Sequence, residues 1–429
     1  MRLGDIPITK RSEDALNRNE FATTLAKSID DLAVAKNGFV IGLIGGWGSG
    51  KTSLINLLSA ALERFDLRRI DAAICTRDPS VSRLSDDELE AGAMALARIR
   101  SSISDLYDSS RDLSLWEHHN QFAQFTSWLG NEQEAALAQR YLHLEQRLPR
   151  EARTIILRFS PWLIAGRGEL AKGLFSDLAR TLGISLGDDA RLAFGDLLTR
   201  LSELAPAAGA GATALGLPFG PVITAGGSWA KGVSNRLTTG PTLDQIRERL
   251  RGILGRLDGR RLLVIVDDLD RLLPDEALEM TSLVKSIGDL PNVVYLLSYD
   301  VDRLANSITN AAKTDGREFL EKIVQYPINL PPLEEYDLLR LLEVELTSLF
   351  HSLPSAALKP DLGSAWYLVL RYYIRTPRAV SRLVNGFSVA WSGLHDHVDP
   401  TDLLLLETLR IHDPVVYNWV RDNLTDLVN

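Results

Sequence analysis

Residues Gly45-Gly46-Trp47-Gly48-Ser49-Gly50-Lys51-Thr52 fit the pattern G-x-x-x-x-G-K-[ST]. This stretch restricts the fold because such a loop works only where a strand turns into a helix. Both flanks agree with that demand. Phe39 to Ile44 is a short apolar run that reads as a buried strand. From Ser53, the residues Leu54, Ile55, Leu57 and Leu58 recur at helical spacing. Glycines let backbone N–H groups close around phosphate oxygens, and the helix N-terminus adds its positive dipole end. Lys51 is expected to reach the β- and γ-phosphates, and Thr52 to offer its hydroxyl to Mg²⁺. The chain is therefore expected to bind a nucleoside triphosphate.

A second constraint lies far downstream. Leu262-Leu263-Val264-Ile265-Val266 runs straight into Asp267-Asp268-Leu269-Asp270-Arg271. Five apolar residues ending in acids read as a buried parallel strand with carboxylates at its C-terminal edge, where ligands bind in such sheets. Unpaired carboxylates there cost too much to be structural. This is a Walker B candidate. Asp267 is expected to hold Mg²⁺ through water, and Asp268 to polarise the attacking water as general base. Asp270 and Arg271 either form a structural ion pair or leave Arg271 to act across a subunit boundary.

Three further runs read as strands. Thr154 to Phe159 is one, and Asn292 to Asp300 another. Ser298 falls at the end of the latter, where a polar side chain could sense the γ-phosphate or orient water. Asp300 could instead cap the following helix. Ile323 to Leu330 is the last, with Pro327 implying an edge or a bulge.

Helices fill the remainder. Phe21, Leu25, Ile29 and Leu32 mark an amphipathic helix before the first strand. Arg18 at its start reads equally as a residue beside the nucleotide and as a surface arginine. Long helical patterning from Asp86 to about Leu148 reads as an insertion, and its His118-His119 pair as surface polar residues. Beyond Leu333 the pattern is helical to the end. There Pro377 starts a helix, and Arg378 is placed to reach the nucleotide from a helical lid, the alternative being a surface arginine. The expected division is 1–58, N-terminal helix with the loop strand and helix; 59–150, helical insertion; 151–203, core continued; 204–240, a Gly/Ala/Pro-rich uncharged insert; 241–332, core with Walker B; and 333–429, helical lid.

Residues 204–230 carry no charged side chain and would be long enough for a membrane span. Pro206, Pro218, Pro221 and the many glycines and alanines argue for a loop instead, with membrane contact the minor alternative. The formal net charge of -9 argues against nonspecific nucleic-acid binding as the main role. The arginines at 247, 249, 251, 256, 260 and 261 read as a solvated helix face. The single cysteine, Cys75, excludes an intrachain disulfide and suits the cytoplasm. The N-terminus lacks the apolar core of a signal peptide.

Taken together, these residues resemble the KAP family of P-loop NTPases. Glu13-Asp14-Ala15-Leu16-Asn17-Arg18 with Phe21-Ala22 is similar to the family's upstream box. Gly45 to Ser53 carries its loop wording, so Gly45, Gly46, Trp47, Gly48, Ser49, Gly50, Lys51, Thr52 and Ser53 are the expected nucleotide contacts. Phe159-Ser160-Pro161-Trp162 resembles its tryptophan motif, with Ser160 where many members have Asn. Asp267 to Arg271, Phe319 to Val324, and Thr376-Pro377-Arg378 match its later boxes.

The resemblance implies an α/β fold. It would have a parallel ASCE-type sheet flanked by helices, with an added strand between the P-loop and Walker B strands and a helical lid. It also implies kinship with STAND ATPases, ATP rather than GTP, and, for some bacterial members, antiphage defence.

The expected activity is Mg²⁺-dependent ATP hydrolysis used as a conformational and assembly switch. Its expected partners are other protein subunits, by self-association or from the same operon. Lys51, Asp268, Ser298 and Arg378 are the expected catalytic set. The alternatives are a nucleotide-binding scaffold with little hydrolysis, or a nucleic-acid-associated ATPase. Nucleic acid is not favoured as a partner. The expected location is cytoplasmic, with peripheral membrane association as the alternative.

Overall fold

The computed structural model describes residues 7–8, 13–32, 36–77, 79, 82–93, 154–164, 169–186, 243–257, 259–352 and 360–428. Five strands form one sheet: β1 (Phe39–Ile44), β2 (Thr154–Phe159), β3 (Arg261–Val266), β4 (Val293–Tyr299) and β5 (Tyr326–Asn329). Their order is β2-β3-β4-β1-β5, and every pairing is parallel. β4 therefore lies between the P-loop strand and the strand that ends in Asp267-Asp268, as the family resemblance implied. Leu43 stands opposite Ser298, and Phe159 opposite Val266.

A parallel sheet is covered on both faces, which requires central strands without polar alternation. β3 and β4 meet that demand, buried at every position. β5 pairs with β1 alone, so Pro327 sits in an edge strand, where a missing N–H is tolerated. Ile323 and Val324, expected to begin this strand, lie in the turn before it. Their backbone N–H groups bond back to the carbonyl of Leu320.

The chain divides into two compact units. The sheet belongs to the unit formed by Thr23–Gly45 and Leu58–Asn329. One sheet face presents Val40, Leu157, Val264, Tyr295 and Leu297 to its core. That core is completed by α3 (Glu169–Leu186), α4 (Leu243–Gly255), α5 (Pro274–Ile287) and α6 (Val301–Ala312), through residues such as Leu174, Leu254, Val284 and Leu304. α6 is followed by the short α7 (Gly316–Glu321).

On the other face Arg158 donates to the Ser59 hydroxyl at 2.8 Å. Ser59 lies on α2 (Lys51–Arg77), which continues unbroken past residue 58. Asp66 of α2 accepts the N–H of Thr154 at the start of β2, at 3.0 Å. Arg69 bridges Asp66 to Asp30 of α1 (Asn19–Asp31).

Two members of the arginine cluster read as solvated are instead buried. Arg261 donates to the carbonyls of Ile29 and Leu32 at the C-terminal end of α1, and Arg260 is also buried. A guanidinium there satisfies carbonyls that the helix end leaves without partners. Arg251 does face outward, paired with Asp289.

The other unit comprises Met1–Ala22, Gly46–Leu57 and Leu330–Asn429. Its helices are α8 (Glu335–Ser352), α9 (Pro377–Leu394), α10 (Pro400–His412), α11 (Pro414–Asp422) and α12 (Leu424–Val428), with helical residues 362–373 between α8 and α9. α8, the helical residues 362–373, α9 and α10 share a core that includes Leu342, Leu346, Phe350, Trp366, Leu383, Phe387, Trp391 and Leu404. The rings of Phe387 and Trp391 stack with centroids 5.6 Å apart. The helical pattern expected beyond Leu333 is thus present among the described residues.

Residues 94–150 of the expected insertion, with His118-His119, and the stretch 204–230 lie outside the described residues. Among the described residues, no helix is long and apolar enough to cross a membrane.

Candidate nucleotide-binding site

The loop after β1 is built as its glycines require. Gly48 and Gly50 have φ of 76° and 93°, conformations that L side chains rarely adopt. They turn the backbone so that α2 opens at Lys51, with Leu54 donating to the Gly50 carbonyl at 3.1 Å. Lys51 is buried, and its ammonium donates to the Gly46 carbonyl at 3.4 Å, folding the side chain over the loop. Thr52 follows in the first turn of α2. In the sheet unit, Gly45 at the end of β1 donates to the Tyr299 carbonyl at 3.1 Å, and burial pushes the Tyr299 phenol up to about 12.

Three neighbours hold this loop within its own unit. Arg18 is buried and donates to the carbonyls of Ser49 and Pro331, the latter at 3.4 Å. Desolvation draws its guanidinium below arginine's ordinary value, with Asp14 and Asp337 opposing the shift. Of its two sequence readings, the surface one does not hold. The N–H of Ile8 donates to the Ser53 hydroxyl at 3.2 Å, and Asn56 donates to the Ile8 carbonyl at 2.8 Å. The N-terminal segment is thus strapped to the first turns of α2, a role no sequence signal marked. Arg378, at the start of α9, donates its N–H to the Gly48 carbonyl at 3.5 Å and lays its guanidinium 4.3 Å from the centroid of the Trp47 ring. Thr376 caps α9, accepting from Ala379 at 3.2 Å, and Pro377 fixes its first turn.

In the sheet unit, the acids follow β3 as expected. Asp267 donates its N–H to the Phe159 carbonyl at 3.1 Å, extending the β2–β3 ladder by one residue. Its carboxylate accepts the N–H of Asp268 at 2.9 Å. Asp268 has φ 58°, a left-handed conformation uncommon for a residue with a side chain. Its carboxylate lies 3.1 Å from Nε of Arg271, so the partner the structure gives Arg271 is Asp268. The Arg271 guanidinium also stands 5.3 Å from the ring centroid of Trp162. The i, i+3 spacing of Asp268 and Arg271 on a helical turn was the available signal for this pair.

Arg158 belongs to the same neighbourhood. Desolvation draws it below its ordinary value, while Asp267 and Glu63 act against the shift.

Ser298 is fully buried in β4, with no hydrogen-bond partner for its hydroxyl among the described residues. Asp300 caps α6, accepting from Asp302 and Arg303 at 3.1 and 3.2 Å.

These residues fit a nucleotide and a hard cation by donor chemistry. The loop presents backbone N–H groups at a helix start without Cβ atoms at its two left-handed positions. Thr52 in one unit, and Asp267 in the other, each carry an oxygen of the kind Mg²⁺ takes. Among the described residues, no group of three His, Cys, Asp or Glu side chains forms a metal site of its own.

A chain with this loop at the end of β1, and with one strand separating β1 from the acid-tipped β3, is a P-loop NTPase by fold. The model of the KAP family P-loop domain matches residues 18–393, and the chain belongs to that family. Over 191 residues it is 30% identical to the phage T7 exclusion protein of Escherichia coli strain K12, a match covering 43% of this chain and 25% of that protein. The chain thus spans about a quarter of that relative's length.

Among solved structures, it is similar to the ORC2 protein of Aeropyrum pernix at 11% identity and a TM-score of 0.32, covering 94% of this chain and 69% of that one. A Walker-type ATPase of Pyrococcus abyssi gives 11% identity and 0.35, covering 99% and 80%.

Proposed function

We propose that the chain binds ATP with Mg²⁺ and hydrolyses it as a switch that governs assembly with other protein subunits. The observation that carries this reading is the loop conformation: left-handed Gly48 and Gly50 deliver Lys51 to the start of α2. Such a loop has little purpose apart from phosphate.

In this reading Lys51 leaves the Gly46 carbonyl for the β- and γ-phosphates. Thr52 and Asp267 would supply oxygen donors to Mg²⁺, which would neutralise charge on the phosphate oxygens. Asp268 orients and deprotonates the attacking water. Ser298 has a buried hydroxyl that can donate to a phosphate oxygen or to that water. Arg378 is the lid's cation, held above Trp47. A lid cation in the same compact unit as the loop supports a switch, because phosphate contacts there bear directly on the lid's packing.

A role in excluding phage is the pathway this reading favours. Its support is the partial likeness to the phage T7 exclusion protein.

The test is phosphate release from ATP and GTP with Mg²⁺, for wild type, Lys51→Ala and Asp268→Asn, at several protein concentrations. ATP turnover that both variants lose, and that rises with protein concentration, is expected. Tight binding with no turnover in any condition would move the reading to a nucleotide-binding scaffold. The engagement of Asp268 by Arg271 gives that second reading its support.

A further inference from the structure

Asp268 is the one residue of the proposed hydrolytic set whose carboxylate is held by a cation of its own turn. Its side chain is 15% exposed and that of Arg271 34%. Oδ1 lies 3.1 Å from Arg271 Nε, and Cζ of the same guanidinium stands 5.3 Å from the Trp162 ring centroid. Trp162 sits on the single turn Pro161–Leu163 after β2, and Arg271 on the single turn Leu269–Arg271 after β3. The two turns are neighbours because β2 and β3 are paired to their last residues, Phe159 opposite Val266. Trp162 and Leu163 are 45% and 68% exposed, so the outer side of this arrangement is open to contact.

We infer that Arg271, backed by Trp162, is a latch on Asp268: both are positioning residues that hold the hydrolysis rate down until the Trp162 turn is displaced. The inference rests on the hydrolase reading above. A general base must turn an oxygen lone pair toward the attacking water. An oxygen that accepts from Arg271 is directed along its own turn. The aromatic face of Trp162 attracts the guanidinium and narrows its choice of positions. Drawing Trp162 away removes that restraint and lets Arg271 leave, which releases Oδ1 of Asp268 from the guanidinium.

Phosphate release with Mg²⁺ and ATP is measured for wild type, Arg271→Gln, Arg271→Lys, Trp162→Ala and Trp162→Phe, with nucleotide Kd and thermal unfolding for each. Arg271→Gln is expected to raise kcat about fivefold, the scale of a partly exposed ion pair, with Kd within about twofold. Trp162→Ala is expected to raise kcat by less. Arg271→Lys and Trp162→Phe keep the charge and the aromatic face, and are expected to stay near wild type. A merely structural pair would move the unfolding temperature and leave kcat where it was.

A kcat that falls or stands still in folded, ATP-binding Arg271→Gln overturns the latch. If that variant does not fold, Trp162→Ala carries the same comparison. The two readings fail separately. Turnover in wild type that Lys51→Ala abolishes, with no rise in either latch variant, removes the latch and leaves the hydrolase. No Lys51-dependent turnover in wild type or in Arg271→Gln removes both.

Discussion

The guanidinium of Arg378 lies 4.3 Å from the ring centroid of Trp47, so an arginine of the lid and the tryptophan of the phosphate loop form one stack. Trp47 remains 43% exposed, which places the pair toward the solvent end of the cation–π range. In a double-mutant cycle with Trp47→Ala and Arg378→Ala, a coupling of about 0.5–1 kcal/mol is expected from urea unfolding. Additive effects would show that the contact does not stabilise the unit.

The loop's two left-handed glycines are not interchangeable with its others. A Cβ on Gly48 would stand 3.0 Å from Arg378 Cβ and 3.3 Å from the Thr376 hydroxyl, while one on Gly46 meets nothing within 4 Å. Gly48→Ala is expected to cost about 1–2 kcal/mol of stability from backbone strain alone. Gly46→Ala is expected to stay within about 0.5 kcal/mol, as is usual where nothing is displaced. Denaturant midpoints of the two variants check this, and equal values would contradict the loop geometry.

Arg18 serves two carbonyls with one planar group, which lysine cannot copy. Arg18→Ala removes the guanidinium from two partly buried carbonyls, at about 1–3 kcal/mol. Arg18→Lys is expected to recover part of that. Both should appear as lowered unfolding temperatures measured without nucleotide. A residue acting only on bound nucleotide would instead weaken nucleotide affinity and leave the melting curve unchanged.

Acid should loosen the lid unit through His412. Desolvation, then the charge of Arg382, draws this imidazole below its ordinary 6.5, and its ring stacks on Tyr373. The unfolded chain therefore binds the proton more readily than the folded one, and stability rises with pH across the interval between the two values. The stabilisation is complete above about 6.5 and is lost as pH falls from there through the lowered folded value. His412→Phe is expected to flatten the slope of stability against pH in that interval. An unchanged slope would assign the acid sensitivity to other groups.

Much of this molecule could be read from residue order. The glycine loop, the strand before it and the acid-tipped β3 each carried a local pattern, and each formed where the pattern put it. The parallel sheet followed from runs of apolar residues too uniform for a strand with one wet face. What the chain concealed were partnerships made across distance. Ile8 reaches Ser53 through a backbone N–H, which every non-proline residue has and no composition betrays. Arg261 was read with its charged neighbours as a solvated face, because charge runs usually are. Its burial depends on the open carbonyls of Ile29 and Leu32, more than two hundred residues earlier in the chain. Arg271 reads in sequence either as an ion-pair partner of Asp270 or as a group acting across a subunit boundary; its pairing with Asp268 depends on the turn that follows β3.

The position of β1 inside the sheet also sets a clock. Val40 pairs with Tyr295, and Ile41 with Tyr326, so neither edge of the loop's own strand can be matched until those residues exist. At about 5–20 residues per second, the some 255 residues between Val40 and Tyr295 take roughly 13–50 s to synthesise. Through that interval the nascent chain carries a complete phosphate-binding motif with no strand to hold it in place. Ribosome-bound chains stalled before β4 should therefore not retain nucleotide, and the ability to do so should arise late, in step with the closing of the sheet.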